Sequence, residues 1–335
     1  MGITRREVIK QGGLMPAAWS LPFPLTASGK SNLMTDEKNF EVIIIGGSYA
    51  GLSAAMALGR SLRKVLIIDS GLPCNRQTPH SHNFITQDGE TPAAIAAKAK
   101  SQVLQYPTVQ FLEDLATGGT KINDGFEIKT QSGRVFTAQK LVFATGVKDT
   151  MPAIKGLAGC WGISVIHCPY CHGYEVRNQK TGIMANGDRA FHVASLVHNL
   201  TKATTIFTNG KAGFTAEQAD TLHKHRIEIV ETGITAIQHH NGQLHHIVLS
   251  DGRELDFAVL YAGLAFTQHS DIPASLGCEL TEQGYIKVDP FQATTVSGVF
   301  ACGDNAAMMR SVANAVYTGN LTGAMVNKAL VDAQF

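Results

Sequence analysis

The sequence is short of charge and of aromatic rings: Asp, Glu, Lys and Arg make up 16% of 335 residues, Phe, Trp and Tyr 7%, and Trp occurs twice. A formal net charge of +1 leaves no field to gather a polyanion, and no basic stripe is interleaved with aromatics, so nucleic-acid binding is not expected. Cysteine is also sparse. Six in 335 residues do not make the dense framework of a small secreted scaffold. Cys74, Cys160, Cys278 and Cys302 stand singly and read as buried small apolar residues. What is present is ordinary globular composition, 44% hydrophobic, with enough length for two domains that each have a core.

The first 33 residues stand apart. Thr4, Arg5, Arg6, Glu7, Val8, Ile9 and Lys10 resemble a twin-arginine export signal, followed by Gly12, Gly13 and an apolar run to Ala27. That run is short and broken by Pro16, Pro22 and Pro24, so no membrane span is expected. An export signal implies a periplasmic protein. The other reading is a mis-assigned start, with translation from Met34 and a cytoplasmic protein.

Two cysteines do stand at a meaningful spacing. His167, Cys168, Pro169, Tyr170, Cys171 and His172 are consecutive, two thiols three apart with an imidazole on each side. If Cys168 caps a helix, Pro169 takes the first helical position, where its missing N–H is no loss, and Cys171 falls on the face of Cys168. A disulfide can then close locally. The helix N-terminus favours the Cys168 thiolate, and a protonated His167 or His172 would favour it further. Half of a zinc site shares the pattern, but zinc sites bring a second Cys/His pair at short spacing, and the other cysteines are scattered. A glutaredoxin site also reads CPYC, yet that fold is small and this motif lies mid-chain. Spacing favours a redox disulfide, and no metal is expected.

A second pattern begins at Glu41–Ile45, a short apolar run followed by Gly46, Gly47, Ser48, Tyr49, Ala50 and Gly51, then by Leu52–Leu62, rich in Ala at helical spacing. Lys64–Ile68 predicts the next strand. Asp69 ends it 23 positions after Gly46, close to the ~20 expected of the acid that holds a ribose. Strand, turn, helix, strand and acid agree on dinucleotide binding; Ser48 stands where the fingerprint has its second glycine. Between Val109 and Phe143, short strands are parted by turn signals at Asn123, Asp124, Gly125 and at Ser132, Gly133, and lead into Ala144, Thr145, Gly146. Near the C-terminus a strand from Gly298 ends in Gly303 and Asp304, before a helical stretch from Val312 to Leu330.

The set resembles the flavoprotein disulfide reductases, most closely the low-molecular-weight thioredoxin reductases, over Phe40 to Leu330. The resemblance implies an α/β fold of two Rossmann-like three-layer domains. Residues 40–150 and 270–335 would form an FAD-binding domain, and residues 151–269 an inserted NAD(P)-binding-like domain carrying the CxxC. It implies that Gly46, Gly47, Ser48, Ala50, Gly51 and Asp69 hold the adenosine half of FAD, that Ala144 and Gly146 mark the crossing between domains, and that Gly303 and Asp304 contact the ribitol and pyrophosphate region. Arg310 and Ser311 would lie near the flavin ring, Ser311 replacing the usual glutamine. By the same resemblance Cys168 exchanges with substrate sulfur, Cys171 faces the flavin, and the enzyme is a homodimer acting on a small dithiol or disulfide or on a thioredoxin-like protein; His172, an imidazole whose ordinary pKa lies near neutrality, is expected to move the accompanying proton with His167 in support.

The chain departs from that family twice. After the predicted strand Thr181–Ala185 the NADPH turn reads Ala185, Asn186, Gly187, Asp188, Arg189, Ala190, and Thr208, Asn209, Gly210, Lys211 stand where arginines for the 2′-phosphate are expected. The NADPH motif is degraded. Secondly, His172 replaces the aspartate after the second cysteine, and the stretch His172, Gly173, Tyr174, Glu175 looks like the dithiol oxidases of gliotoxin and holomycin biosynthesis. The expected function is FAD-dependent thiol–disulfide chemistry, as a dithiol oxidase using oxygen or as an NADPH-dependent thioredoxin reductase. A non-catalytic FAD-binding redox sensor is the reading from another class.

Other histidines carry weaker signals. His239, His240, His245 and His246 flank Asn241 and Gly242, a two-residue hairpin signal that pairs His240 with Gln243 and His239 with Leu244. Each face then receives only a diagonal pair, too few for a closed zinc site. His223 and His225 read as a solvated helix end. His80 and His82, near Cys74, are candidates for the flavin pocket.

Overall fold

The structure is a computed structural model and describes residues 38–335. The export-signal and Met34 readings lie outside the described residues. Among these, no helix is long and apolar enough to cross a membrane.

The strand Asn39–Ile45 is the centre of a seven-stranded sheet, with Val42, Ile43 and Ile44 fully buried. Its continuous apolar run, rather than an alternating one, follows from having both faces covered. It pairs in parallel with Val65–Asp69 on one side and Val135–Phe143 on the other. Val109–Glu113 extends the parallel set beyond Val65–Asp69, and Val299–Ala301 returns from near the C-terminus to pair with the end of Val135–Phe143. Gly125–Thr130 and Ala116–Ile122 complete the sheet in antiparallel fashion.

One face of this sheet carries the helices Tyr49–Arg60, Pro92–Val103 and Val312–Gln334. The first and last of these touch backbone to backbone, because Gly319 and Gly323 leave no side chain between them. A Cβ at Gly319 would strike the Ala50 carbonyl, and one at Gly323 the Ala54 carbonyl.

The second sheet has five parallel strands in the order Glu228–Val230, Thr204–Phe207, Thr181–Met184, Val259–Ala262 and Val165–Ile166. The helices Gly187–Val197 and Ala216–Lys224 contribute to the core on one face. An antiparallel three-stranded sheet, Ile234–His240, Gln243–Leu249 and Glu254–Asp256, covers the other. This makes two three-layer α/β modules, as the resemblance implies. The chain leaves the first through Val147–Asp149 and returns through Phe266–Gln268, and these two crossings pair as an antiparallel ribbon.

In the histidine hairpin, His239 faces Leu244 and His240 faces Gln243, in the expected register. His246 is paired instead with Asp256 of the next strand, Nδ1 to Oδ1 2.7 Å. No group of three His, Cys, Asp or Glu among the described residues is arranged to hold a metal ion.

Candidate active site

A cavity of about 630 Å³ opens at the C-terminal ends of the parallel strands of the first sheet, the edge at which such sheets bind ligands. It is lined by Gly46, Gly47, Ser48, Ala50, Asp69, Ala144, Gly146, Gly303, Asp304, Arg310 and Ser311, and at its far end by His167, Cys171 and His172. Gly51 lies behind the lining, where a Cβ would run into the Gly46 carbonyl and push the helix off the turn. Gly46 itself has φ +105°, open to glycine and strained for other residues. Asp69 accepts hydrogen bonds from the backbone of Gly47 (2.8 Å) and Gly71 (3.1 Å), which fixes its carboxylate at the rim.

Deeper in, Arg310 grips Asp149 with two nitrogens, at 2.7 and 3.1 Å, while its Nε lies 3.7 Å from Asp304 Oδ2 and has no hydrogen-bond partner. Burial pushes the Asp304 carboxyl up to about 6 against the pull of Arg310. Cys74 is not the isolated apolar cysteine its sequence context suggests: it lines this cavity, with Sγ 3.9 Å from Asp304 Oδ2, and burial pushes its thiol up to about 11. Cys160, Cys278 and Cys302 are buried as expected.

Cys168 caps the four-residue helix Pro169–His172, with Pro169 at its first position. The two sulfurs are 2.7 Å apart, Cys171 donating to Cys168. Cys171 faces the cavity and Cys168 is not part of its lining. The two thiols are electrostatically unequal. The Cys171 S–H, ahead of the backbone N–H groups of Cys171 and Tyr170, lowers Cys168 to about 7, whereas Cys171 is pushed far up.

The histidines do not supply this bias. His167 is buried against Trp161, ring centroids 6.1 Å apart, and burial, reinforced by Arg310 and His172, pulls it down to about 4. It is therefore neutral near pH 7, and the expectation of a protonated His167 beside the thiolate is corrected. Burial also lowers His172, against the opposing effect of Glu175. His82, which lines the cavity, lies 3.6 Å from Glu175 and 3.7 Å from Asp88.

The second glycine turn is built differently from the first. Ser48, which caps the helix Tyr49–Arg60, makes no side-chain capping bond, and that helix has no acidic residue in its first turn. Asn186, at the head of the helix Gly187–Val197, is engaged on every side. Its Oδ1 accepts from Gly187 N and Gly213 N, both at 2.8 Å, and its Nδ2 donates to the Lys211 carbonyl at 2.9 Å. Asp188 adds an acid to the first turn there.

The sequence profile of the pyridine nucleotide-disulphide oxidoreductases matches residues 40–319. The chain belongs to this family. A thioredoxin reductase of Claviceps purpurea, tcpT, is 34% identical over 313 residues, covering 89% of this chain and 96% of its own. An oxidoreductase from Agrobacterium tumefaciens has a crystal structure at 40% identity and a TM-score of 0.82, covering 88% of this chain and 99% of its own. The putative thioredoxin reductase TrxB of Bacillus anthracis, at 28% identity, gives a TM-score of 0.84 over 88% of this chain and all of its own.

As a pyridine nucleotide-disulphide oxidoreductase, the protein acts on sulfur groups and uses FAD. The cavity suits that cofactor. The open N-terminus of Tyr49–Arg60 leaves backbone N–H groups for a pyrophosphate. Lys100 and Phe111 line the end near Asp69, and the unpaired Arg310 Nε and His167 Nε2 lie at the other. Motif reading passed over Cys74, Asp149 and Trp161, which belong to no motif. Their one available signal is position: Cys74 follows the Asp69 strand end, and Asp149 follows Gly146.

Proposed function

We propose that this FAD-dependent disulfide oxidoreductase oxidises a small dithiol to its cyclic disulfide and passes the electrons to oxygen, which is reduced to hydrogen peroxide. The observation that carries this direction is the hydrogen bonding of Asn186. At the turn where this fold would present N–H groups to a nicotinamide pyrophosphate, those of Gly187 and Gly213 are already taken. Asp188 opposes an anion at the same helix end.

In the proposed cycle a substrate thiolate attacks Cys168 of the Cys168–Cys171 disulfide, the S–S bond breaks, and Cys171 leaves. The second substrate thiolate then attacks the substrate sulfur of the mixed disulfide and releases Cys168. The substrate has lost two electrons, and the enzyme disulfide has gained them. Cys168, the more acidic thiol, suits the exchanging role, and Cys171, facing the cavity, suits transfer inward. Neutral His172 accepts the substrate proton at its free imidazole nitrogen. FAD, when bound, accepts the electron pair from the dithiol and delivers it to the terminal acceptor.

The competing reading, NADPH-dependent reduction of a thioredoxin-like protein, draws support from the names of the relatives. Anaerobic flavin absorbance separates the two. Bleaching by a small dithiol, followed by oxygen uptake, is expected; fast bleaching by NADPH with thioredoxin-dependent turnover would sink the oxidase reading. The proposal includes the domain limits 40–150 with 270–335 and 151–269, and a homodimer, which sedimentation of the purified protein tests.

A further inference from the structure

Asp149 joins three parts of the chain that meet only in space. It ends the crossing strand Val147–Asp149, by which the chain leaves the first module. From the C-terminal part, Arg310 donates to both of its oxygens, at 2.7 and 3.1 Å. From the second module, the indole Nε1 of Trp161 donates to Oδ2 at 3.3 Å. The next residue, Gly162, rests on the first module as well. A Cβ there would lie 3.0 Å from Thr78 Oγ1 and 3.1 Å from the Gln77 side chain, both on the loop that follows Val65–Asp69. Trp161 and Gly162 thus make a foot by which the second module stands on the first.

The foot is rigidly connected to the dithiol. Ile163 and Ser164 donate their N–H groups to the Cys160 carbonyl at 3.0 and 3.1 Å, Gly162 donates to the Val165 carbonyl at 2.8 Å, and Trp161 bridges to Val165. Val165–Ile166 then pairs with Val259–Ala262 and runs straight into His167 and Cys168. The Trp161 ring also lies against His167. A shift of the foot therefore carries Cys168 and Cys171 with it. The Asp149 carboxylate is already met by two nitrogens of Arg310, so the indole bond is not needed to satisfy it. What it adds is alignment between modules joined covalently only at the crossings Val147–Asp149 and Phe266–Gln268. Alignment matters here, because reacting atoms must approach to about 3–3.5 Å and a misplacement of about 1 Å can cost about a hundredfold in rate.

We propose that Trp161 and Asp149 are positioning residues that set the register of Cys171 at the flavin end of the cavity. They act through the backbone that carries the dithiol. The role rests on electron exchange between the Cys168–Cys171 pair and FAD but not on its direction.

Trp161→Phe keeps an aromatic ring beside His167 and removes the N–H donor. In the flavin-loaded protein without oxygen, dithiothreitol reduces first the disulfide, followed by alkylation and peptide mass, and then the flavin, followed by bleaching. The variant is expected to reduce its disulfide at the wild-type rate and its flavin about tenfold more slowly. Asp149→Ala, made separately, is expected to give the same split, and Trp161→Phe to add nothing in that background, because the N–H then has no acceptor. Hydrogen exchange of the peptide spanning residues 160–171 is expected to quicken about tenfold in both variants. The pH inflection of Cys168 alkylation by iodoacetamide is expected to stay in place in Trp161→Phe. Two rates that fall together, or neither falling, overturn the proposal, as do losses that multiply in the double variant, unquickened exchange, or a moved inflection, which would place the effect in the dithiol itself. If dithiothreitol fails to bleach the wild-type flavin, the oxidase reading fails, and the same step is read backwards, from photoreduced flavin to the thiols of Cys168 and Cys171.

Discussion

His82 Nδ1 lies 3.6 Å from Glu175 Oε1, joining a loop that follows the second strand of the first sheet to the segment just beyond the dithiol. Both side chains act on His172 with opposite sign: the Glu175 carboxylate raises its pKa, and His82 lowers it. Glu175→Gln is expected to let the base form of His172 persist to lower pH, shifting the acid limb of dithiol-dependent flavin reduction down by up to about one unit. His82→Gln is expected to shift the same limb upward. Stopped-flow rates across pH check both, and limbs that move together would remove His172 from the role of base.

Asn186 caps a helix and closes a turn at once. Asn186→Ala is expected to lower stability by about 1 kcal/mol, the usual loss for a removed N-cap, and to leave dithiol turnover unchanged. It frees the N–H groups of Gly187 and Gly213. NADPH is still expected not to bleach the flavin, because Asp188 remains and no arginine follows the strand Thr204–Phe207. Chemical denaturation and anaerobic titration check the two halves.

Cys171 has two functions, as the thiol facing the cavity and as the leading cause of the low Cys168 pKa. Cys171→Ala removes both. Turnover is expected to fall to background, and the alkylation inflection of Cys168 to rise by about one to two units as the charge-assisted S–H contact is lost. The backbone N–H groups of Tyr170 and Cys171 survive the substitution and keep the rise from being larger. Turnover that persists would move the site elsewhere.

Much of the architecture was legible because it is local. The turn at Gly46, the acid at Asp69, the Cys168-capped helix and the pairing of His239 with Leu244 all follow from spacing within one strand, turn or helix. What escaped depends on contacts far apart in sequence. Asn186 reaches Gly213, Arg310 reaches Asp149 and Cys74 reaches Asp304, over 27, 161 and 230 positions. The protonation of His167 escaped for the same reason: burial beside Arg310 sets it, and no neighbour in the motif reports that burial.

That burial makes a measurable pH dependence of stability. His167 has a folded pKa of about 4 against an ordinary value of 6.5, so in the window between them the unfolded chain binds a proton that the folded chain does not. Stability contributed by the neutral imidazole is fully present above pH 6.5 and is lost as pH falls through that window, by about 3 kcal/mol in total. Asp304 works in the opposite sense. Its folded pKa is raised to about 6, so its contribution is fully present below the ordinary carboxylate value and is lost as pH rises through about 6. The two partly cancel in the wild type, which is why the variant is the informative sample. His167→Gln removes the first effect and leaves the second. Relative to the wild type, its denaturation free energy is expected to gain up to about 3 kcal/mol as pH falls from 6.5 to 4, with the two curves parallel above pH 7; curves parallel throughout would show that His167 takes up its proton without loss in the folded state.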